Sequence, residues 1–175
     1  MIKKNSFKKG FTLIELLIVI ALLGALAVGL LAALDPFEQL KKGTDTGLRN
    51  TVSELHGAII RYFSIKYQMP WYPSTSIGPI DASSGYTTIG IDNIVNAGEL
   101  KKDFSSLAED QLPKITVIGT SESVTVCFKP LSKSFRNDPN TKYNSAGTVI
   151  ATAGPTESAC GPFDSDTFSC YWCVK

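Results

Sequence analysis

The sequence predicts an α+β fold: a long N-terminal helix continues into an amphipathic helix, which packs on a small antiparallel sheet in a head whose C-terminal region is stapled by disulfides. Three observations predict it. Phe11 to Leu34 carries one charge, Glu15, in 24 residues. Leu48, Val52, Leu55, Ile59, Phe63 and Tyr67 then recur at spacings of three and four, the mark of a helix with one apolar face. Short β-rich runs follow, together with all four cysteines, which come at or after Cys127.

The apolar run comes first in the chain. Its 24 residues give roughly 36 Å at about 1.5 Å each, enough to cross a hydrocarbon core of about 30 Å. Lys3, Lys4, Lys8 and Lys9 precede it, while Asp35, Glu38, Lys41 and Lys42 after it balance to zero. The lysine-rich side therefore stays cytoplasmic and everything after Leu34 lies outside. An even number of cysteines in a small extracytoplasmic domain agrees with that orientation. A cleaved secretory signal peptide would use Ala25-Leu26-Ala27 as its small-residue site. Against it stands Glu15, since a charge near the middle of a membrane helix costs about 2.5–3.5 kcal/mol and needs a reason even near an end. A plain single-span anchor meets the same objection.

The run KKGFTLIELLIVIALLGALA resembles the N-terminus of type IV pilins and of the pseudopilins of type II secretion, over roughly residues 8 to 31. The resemblance implies that a prepilin peptidase cleaves after Gly10 and methylates the new amine of Phe11. It implies that Glu15 pairs with the N-terminal amine of a neighbouring subunit, so that docking relieves the cost of a carboxylate in apolar surroundings. Ala21, Ala25, Gly29 and Ala33 form a stripe of small residues at i+4 spacing, which lets helices approach closely. Many members of the family carry a proline inside this spine. Here the first is Pro36, after it, which makes Gly24 and Gly29 the weak points for a melt or kink. The expected organisation is a leader at 1–10, a transmembrane and filament-core helix at 11–34, an amphipathic helix at 35–68 and a globular head at 69–175.

Asp35-Pro36-Phe37-Glu38 has the form of a helix start, with Asp as N-cap, Pro at the first position and Glu at the third. Opposite the apolar stripe the sequence places Asp45, Arg49, Asn50, Ser53, Glu54 and Arg61. Gly43 and Gly47 weaken the helix near its start, and Met69-Pro70-Trp71-Tyr72-Pro73 ends it. Pro70 to about Tyr86 reads as a loop, and Asn93 to Phe104 as a short helix. Ile115–Ile118 and Val124–Phe128 read as a hairpin with a five-residue connection. Gly147–Ala151 and Phe168–Val174 are further strand candidates, for a sheet of three or four strands. The segments 70–93 and 130–148 are expected to be exposed loops.

Four cysteines allow three pairings. Cys170 and Cys173 have the spacing of half a zinc knuckle, but Cys127 and Cys160 do not supply the other half, and a redox role needs a βαβ context that the chain lacks. On one strand Cys170 and Cys173 would point to opposite faces and bond to different partners. Cys127–Cys173 and Cys160–Cys170 are the favoured pairs, and many pilins likewise staple their C-terminal region. Asp164 and Asp166 are weak calcium candidates without an EF-hand pattern, so no metal and no cofactor is expected. His56, the one histidine, reads as a helix-surface or packing residue. Trp71, Tyr72, Tyr171 and Trp172 read as packing aromatics by default.

The 17 basic and 16 acidic residues leave a net charge of +1, and without the leader lysines the balance turns mildly acidic, so no specific nucleic acid partner is expected. No GxSxG, P-loop or HExxH occurs, and no enzymatic activity is expected. The expected function is that of a type IV pilin-like structural subunit. Its partners would be copies of itself in a helical filament, the inner-membrane assembly platform, the prepilin peptidase and, before assembly, membrane lipid. It would lie in the inner membrane as a precursor and at the cell surface once assembled. The alternatives are a pseudopilin of a secretion or DNA-uptake machine and a membrane-anchored extracytoplasmic binding protein that never polymerises.

Overall fold

A computed structural model describes residues 10–33 and 35–175, and the chain divides into two compact units between Phe37 and Glu38. The leader lysines and Leu34 lie outside the described residues. In the first unit, α1 spans Leu13–Ala33 and is unbroken at Gly24 and Gly29. Its leucine, isoleucine and valine side chains are exposed all round, and Leu13–Leu31 is long and apolar enough to cross a membrane. A continuous helix satisfies its own backbone, which is what an apolar surrounding demands.

The next helix, α2, spans Pro36–Lys66, with Pro36 at its first position, where a missing N–H costs nothing. Gly43 and Gly47 do not interrupt it. The second unit continues with β1 (Ser76–Asp81), α3 (Tyr86–Ile89), α4 (Ile91–Asn96), α5 (Phe104–Leu107) and a 3-10 turn at Leu112–Lys114. Then come β2 (Ile115–Thr120), β3 (Val124–Phe128), α6 (Lys133–Arg136), β4 (Thr141–Tyr143), α7 (Glu157–Cys160) and β5 (Tyr171–Val174).

The five strands form one antiparallel sheet in the order β1-β2-β3-β5-β4. Alternation along the strands gives the sheet one apolar face. Ile115 lies opposite Phe128, Val117 opposite Val126, and Phe128 opposite Trp172. These side chains share a single core with Leu48, Val52, Leu55 and Ile59 of α2. Burying each such side chain stabilises the head by about 1.5–3 kcal/mol before the entropy of ordering is counted.

Several expectations about the head are corrected. The stripe on α2 runs through Leu55, Ala58, Ile59 and Tyr62, while Phe63 is only partly buried and Tyr67 is exposed. Successive steps of four overshoot the helical period by about 40° each, so the stripe turns out of the core by Tyr67. The helix also ends at Lys66, three residues before Met69, with Tyr67 at φ 54°. Asp45 is not on the polar face: it is fully buried. The expected loop from Pro70 contains the edge strand β1, where Pro79 is tolerated because edge strands need fewer donors. The expected helix at 93–104 is broken into the ends of α4 and α5, with Gly98 at φ 82° between them.

The hairpin has a shorter connection than expected, Ser121 to Ser123, because pairing extends to Gly119 opposite Val124. A glycine is needed there: a Cβ at position 119 would come within 2.3 Å of the Trp71 ring. Gly147–Ala151 is not a strand. It contributes one bridge, Val149 to Tyr143, and Gly147 sits at φ 69°. Only Tyr171–Val174 of the run from Phe168 is extended in the sheet. The segments expected to be exposed bury Trp71, Ile77, Ala82, Ile89 and Ile91 in one case and Phe135, Arg136 and Thr141 in the other.

Candidate functional site

The start of α1 carries the residues singled out for processing and assembly. Gly10 and Phe11 precede the helix and are exposed. Thr12-Leu13-Ile14-Glu15 then closes a capping box. The Thr12 N–H and hydroxyl both donate to Glu15 Oε2, at 2.8 and 2.6 Å, and Thr12 Oγ1 accepts the Glu15 N–H at 3.3 Å. Thr12 C=O accepts the Leu16 N–H at 3.2 Å, the first turn of the helix. The carboxylate therefore lies at the positive end of the helix, satisfies a donor there, and remains exposed on an otherwise apolar rod. From the sequence alone, Glu15 reads as a charge that only a neighbour can satisfy. The T-x-x-E signature that shows the local partner was present in the sequence and was missed.

Ala21, Ala25 and Gly29 stand exposed along α1, and the side chain of Ala33 lies outside the described part of the structure. No functional residue of the second unit was expected on α2, yet its first turns hold two carboxylates that organise the head. Glu38 accepts the Lys133 N–H. Asp45 accepts the N–H groups of Leu131 (3.0 Å) and Ser132 (2.7 Å) and the Ser132 hydroxyl (2.6 Å). Ser132 in turn caps α6, its Oγ accepting the Phe135 N–H at 3.3 Å. A buried carboxylate is tolerated when donors surround it in this way.

At the C-terminal end the structure joins Cys127 to Cys173, whose Cα atoms are 4.1 Å apart on directly opposed positions of β3 and β5. It joins Cys160 to Cys170, closing a short loop packed on Phe168 and Ala151. Cys170 precedes β5 rather than lying on it, so the two-face argument from strand geometry does not apply. Within that loop Asp164 pairs with Lys133 at 2.9 Å, and the Asp166 carbonyl accepts from Lys129 Nζ at 3.3 Å. Among the described residues no group of three or more potential metal ligands gathers. The internal cation of the region is Arg136, a buried guanidinium that donates to the carbonyls of Pro130 (3.1 Å), Phe163 (2.6 Å) and Ser165 (3.0 Å) and lies 5.0 Å from the Phe168 ring centre.

His56 is partly buried on α2, its Nε2 has no hydrogen-bond partner, and burial holds its pKa below the ordinary 6.5. Trp71 and Trp172 are buried and Tyr171 is partly so, whereas Tyr72 is exposed.

Residues 5–31 match the family model described as the prokaryotic N-terminal methylation motif, the prepilin-type signal of type IV pilins and pseudopilins. No curated protein and no solved structure matches the chain. The motif supports a precursor of the type IV pilin-like or pseudopilin kind, and with the apolar helix α1 it fits a membrane-anchored form.

Proposed function

We propose that the chain is a type IV pilin-like structural subunit, and not an enzyme. It is held in the inner membrane by residues 11–34 with the head outside, cut after Gly10 by prepilin peptidase, methylated on the Phe11 amine, and polymerised into an extracellular filament through α1. The observation that carries this reading is Glu15, the one charge of the apolar run, exposed at the helix start inside the matched methylation motif. Its capping box uses only Oε2, and a carboxylate has lone pairs on both oxygens. Glu15 is thus able to keep its helix closed and accept the amine of a neighbouring subunit. In a dry filament core that pair offsets two charges that would each be costly alone.

The same motif also serves pseudopilins, whose filaments are short and periplasmic. Mass spectrometry of the mature protein tests the processing step: the proposal expects a chain beginning at N-methylated Phe11, and one beginning at Val28 would instead identify a secretory signal peptide. Glu15→Ala tests assembly. It is expected to insert in the membrane and be processed yet form no filament, and normal assembly of this variant would remove the proposed mechanism.

A further inference from the structure

We propose that the cleft at the C-terminal end of α2 binds a neutral saccharide. The cleft has a volume of about 320 Å³ and is lined by eight residues, seven from the segment 67–75 that follows α2 and one, Ser121, from the β2–β3 turn. That volume falls within the range of small-ligand pockets, about 300–1,000 Å³. Two large aromatic side chains stand in solvent at its rim, Tyr67 at 87% and Tyr72 at 65% exposure, while Met69 is buried beneath. Tyr67 projects from a backbone at φ 54°, in the left-handed region that bulky residues rarely occupy and that is strained for them. An exposed aromatic at such a position gains nothing for the core, so packing does not explain its presence.

The remaining chemistry narrows the ligand class. None of the eight lining residues is charged. That disfavours phosphate, sulfate, nucleic acid and acidic sugars, which call for cationic partners. Six of them offer a phenol, hydroxyl or amide side chain, groups that both donate and accept. In the β2–β3 turn Thr120 and Ser123 bond their hydroxyls to each other at 2.8 Å. The Ser121 hydroxyl and the side-chain polar groups of Tyr67, Gln68, Tyr72, Ser74 and Thr75, by contrast, have no hydrogen-bond partner among the described residues. Sugar hydroxyls likewise donate and accept, and the C–H face of a pyranose stacks on aromatic rings. A proline-rich peptide, the other common occupant of an aromatic-lined groove, has no N–H at its prolines and so offers the lining acceptors fewer donors than a sugar does. The combination of apolar plates and paired donor-acceptor groups fits a saccharide better.

The test uses the full chain purified in mild detergent, with saturation-transfer NMR against maltohexaose, chitohexaose, cellohexaose and a galactose-terminated neutral oligosaccharide. A proline-rich decapeptide and oligo(dT) serve as competing probes. The expected result is transfer to at least one neutral oligosaccharide. Affinity should fall about tenfold or more in Tyr72→Ala and in Tyr67→Ala, and hold within about threefold in Tyr72→Phe, which keeps the ring. Both tyrosines are exposed, so the variants retain the fold, checked by the near-ultraviolet dichroism of the buried tryptophans. Three results would overturn the proposal: no binding of any neutral oligosaccharide, binding unchanged in both alanine variants, or a preference for the peptide or oligo(dT).

Discussion

Asp45 and Ser132, 87 residues apart in sequence, meet at a single oxygen: Asp45 Oδ2 accepts both the N–H and the hydroxyl of Ser132, at 2.7 and 2.6 Å. Removing the carboxylate orphans buried donors, so Asp45→Ala is expected to destabilise the head by about 3 kcal/mol, and Ser132→Ala, which loses a hydroxyl and a cap, by about 1 kcal/mol. Urea unfolding in detergent, followed by near-ultraviolet dichroism, measures both. A loss below about 0.5 kcal/mol for Asp45→Ala would show that the contact is energetically idle.

The Thr12 hydroxyl accepts the Glu15 amide and donates to the Glu15 carboxylate. Thr12→Ala removes a cap of about 1 kcal/mol, so amide exchange at Glu15 in micelles should speed up about fivefold, while Thr12→Ser leaves it near the parent rate. Equal rates in all three proteins would show that Thr12 does not cap α1.

The two disulfides close loops of unequal length, with sequence separations of 46 for Cys127–Cys173 and 10 for Cys160–Cys170, worth about 4 and about 3 kcal/mol by loop-closure entropy. Replacing Cys127 and Cys173 together by serine should therefore lower the midpoint of thermal unfolding further than replacing Cys160 and Cys170. The opposite order would mean that the short loop does more than restrict the unfolded chain.

Burial lowers the pKa of His56 below 6.5, so the unfolded chain takes up a proton at a higher pH than the folded chain does. Stability is full above pH 6.5 and is lost as pH falls from there through the folded pKa. Urea midpoints measured between pH 7.5 and 5 should fall across that window, and His56→Gln should flatten the fall. An unchanged slope in His56→Gln would assign the acid sensitivity to other groups.

Arg136 holds three carbonyls in a fork that an ammonium group cannot reproduce. Arg136→Lys should cost about 2 kcal/mol and raise amide exchange between Phe163 and Phe168, leaving the sheet protected. Unchanged exchange in that loop would show that the disulfide alone fixes it.

What the sequence disclosed follows from how strongly each element repeats its pattern. The apolar run, the stripe on α2 and the pair β2 and β3 were legible because each holds its period over several residues. Asp45 was also legible in position, since steps of three, four, three and four lead from it through Leu48, Val52 and Leu55 to Ile59. Its residue type overrode its spacing, and the partner on Ser132 lies too far along the chain for any local pattern. β1 was hidden by Gly78 and Pro79, which mark turns elsewhere but are accommodated at a sheet edge. β4 has three residues, too few for a period of two to declare itself. At the candidate site, Glu15 was found because it breaks a uniform run, whereas Thr12 escaped notice because a threonine at a helix start breaks nothing.

β5 is the latest of the strands in sequence but not in space: it lies between β3 and β4, and among the named strands of the described residues β4 pairs with β5 alone. A chain folding in order of synthesis can thus pair β1, β2 and β3, but must wait for residue 174 before the sheet is whole. Until then the edge of β3 is open and Cys127 lacks its partner. The closing of that bridge marks the moment at which the sheet is finished.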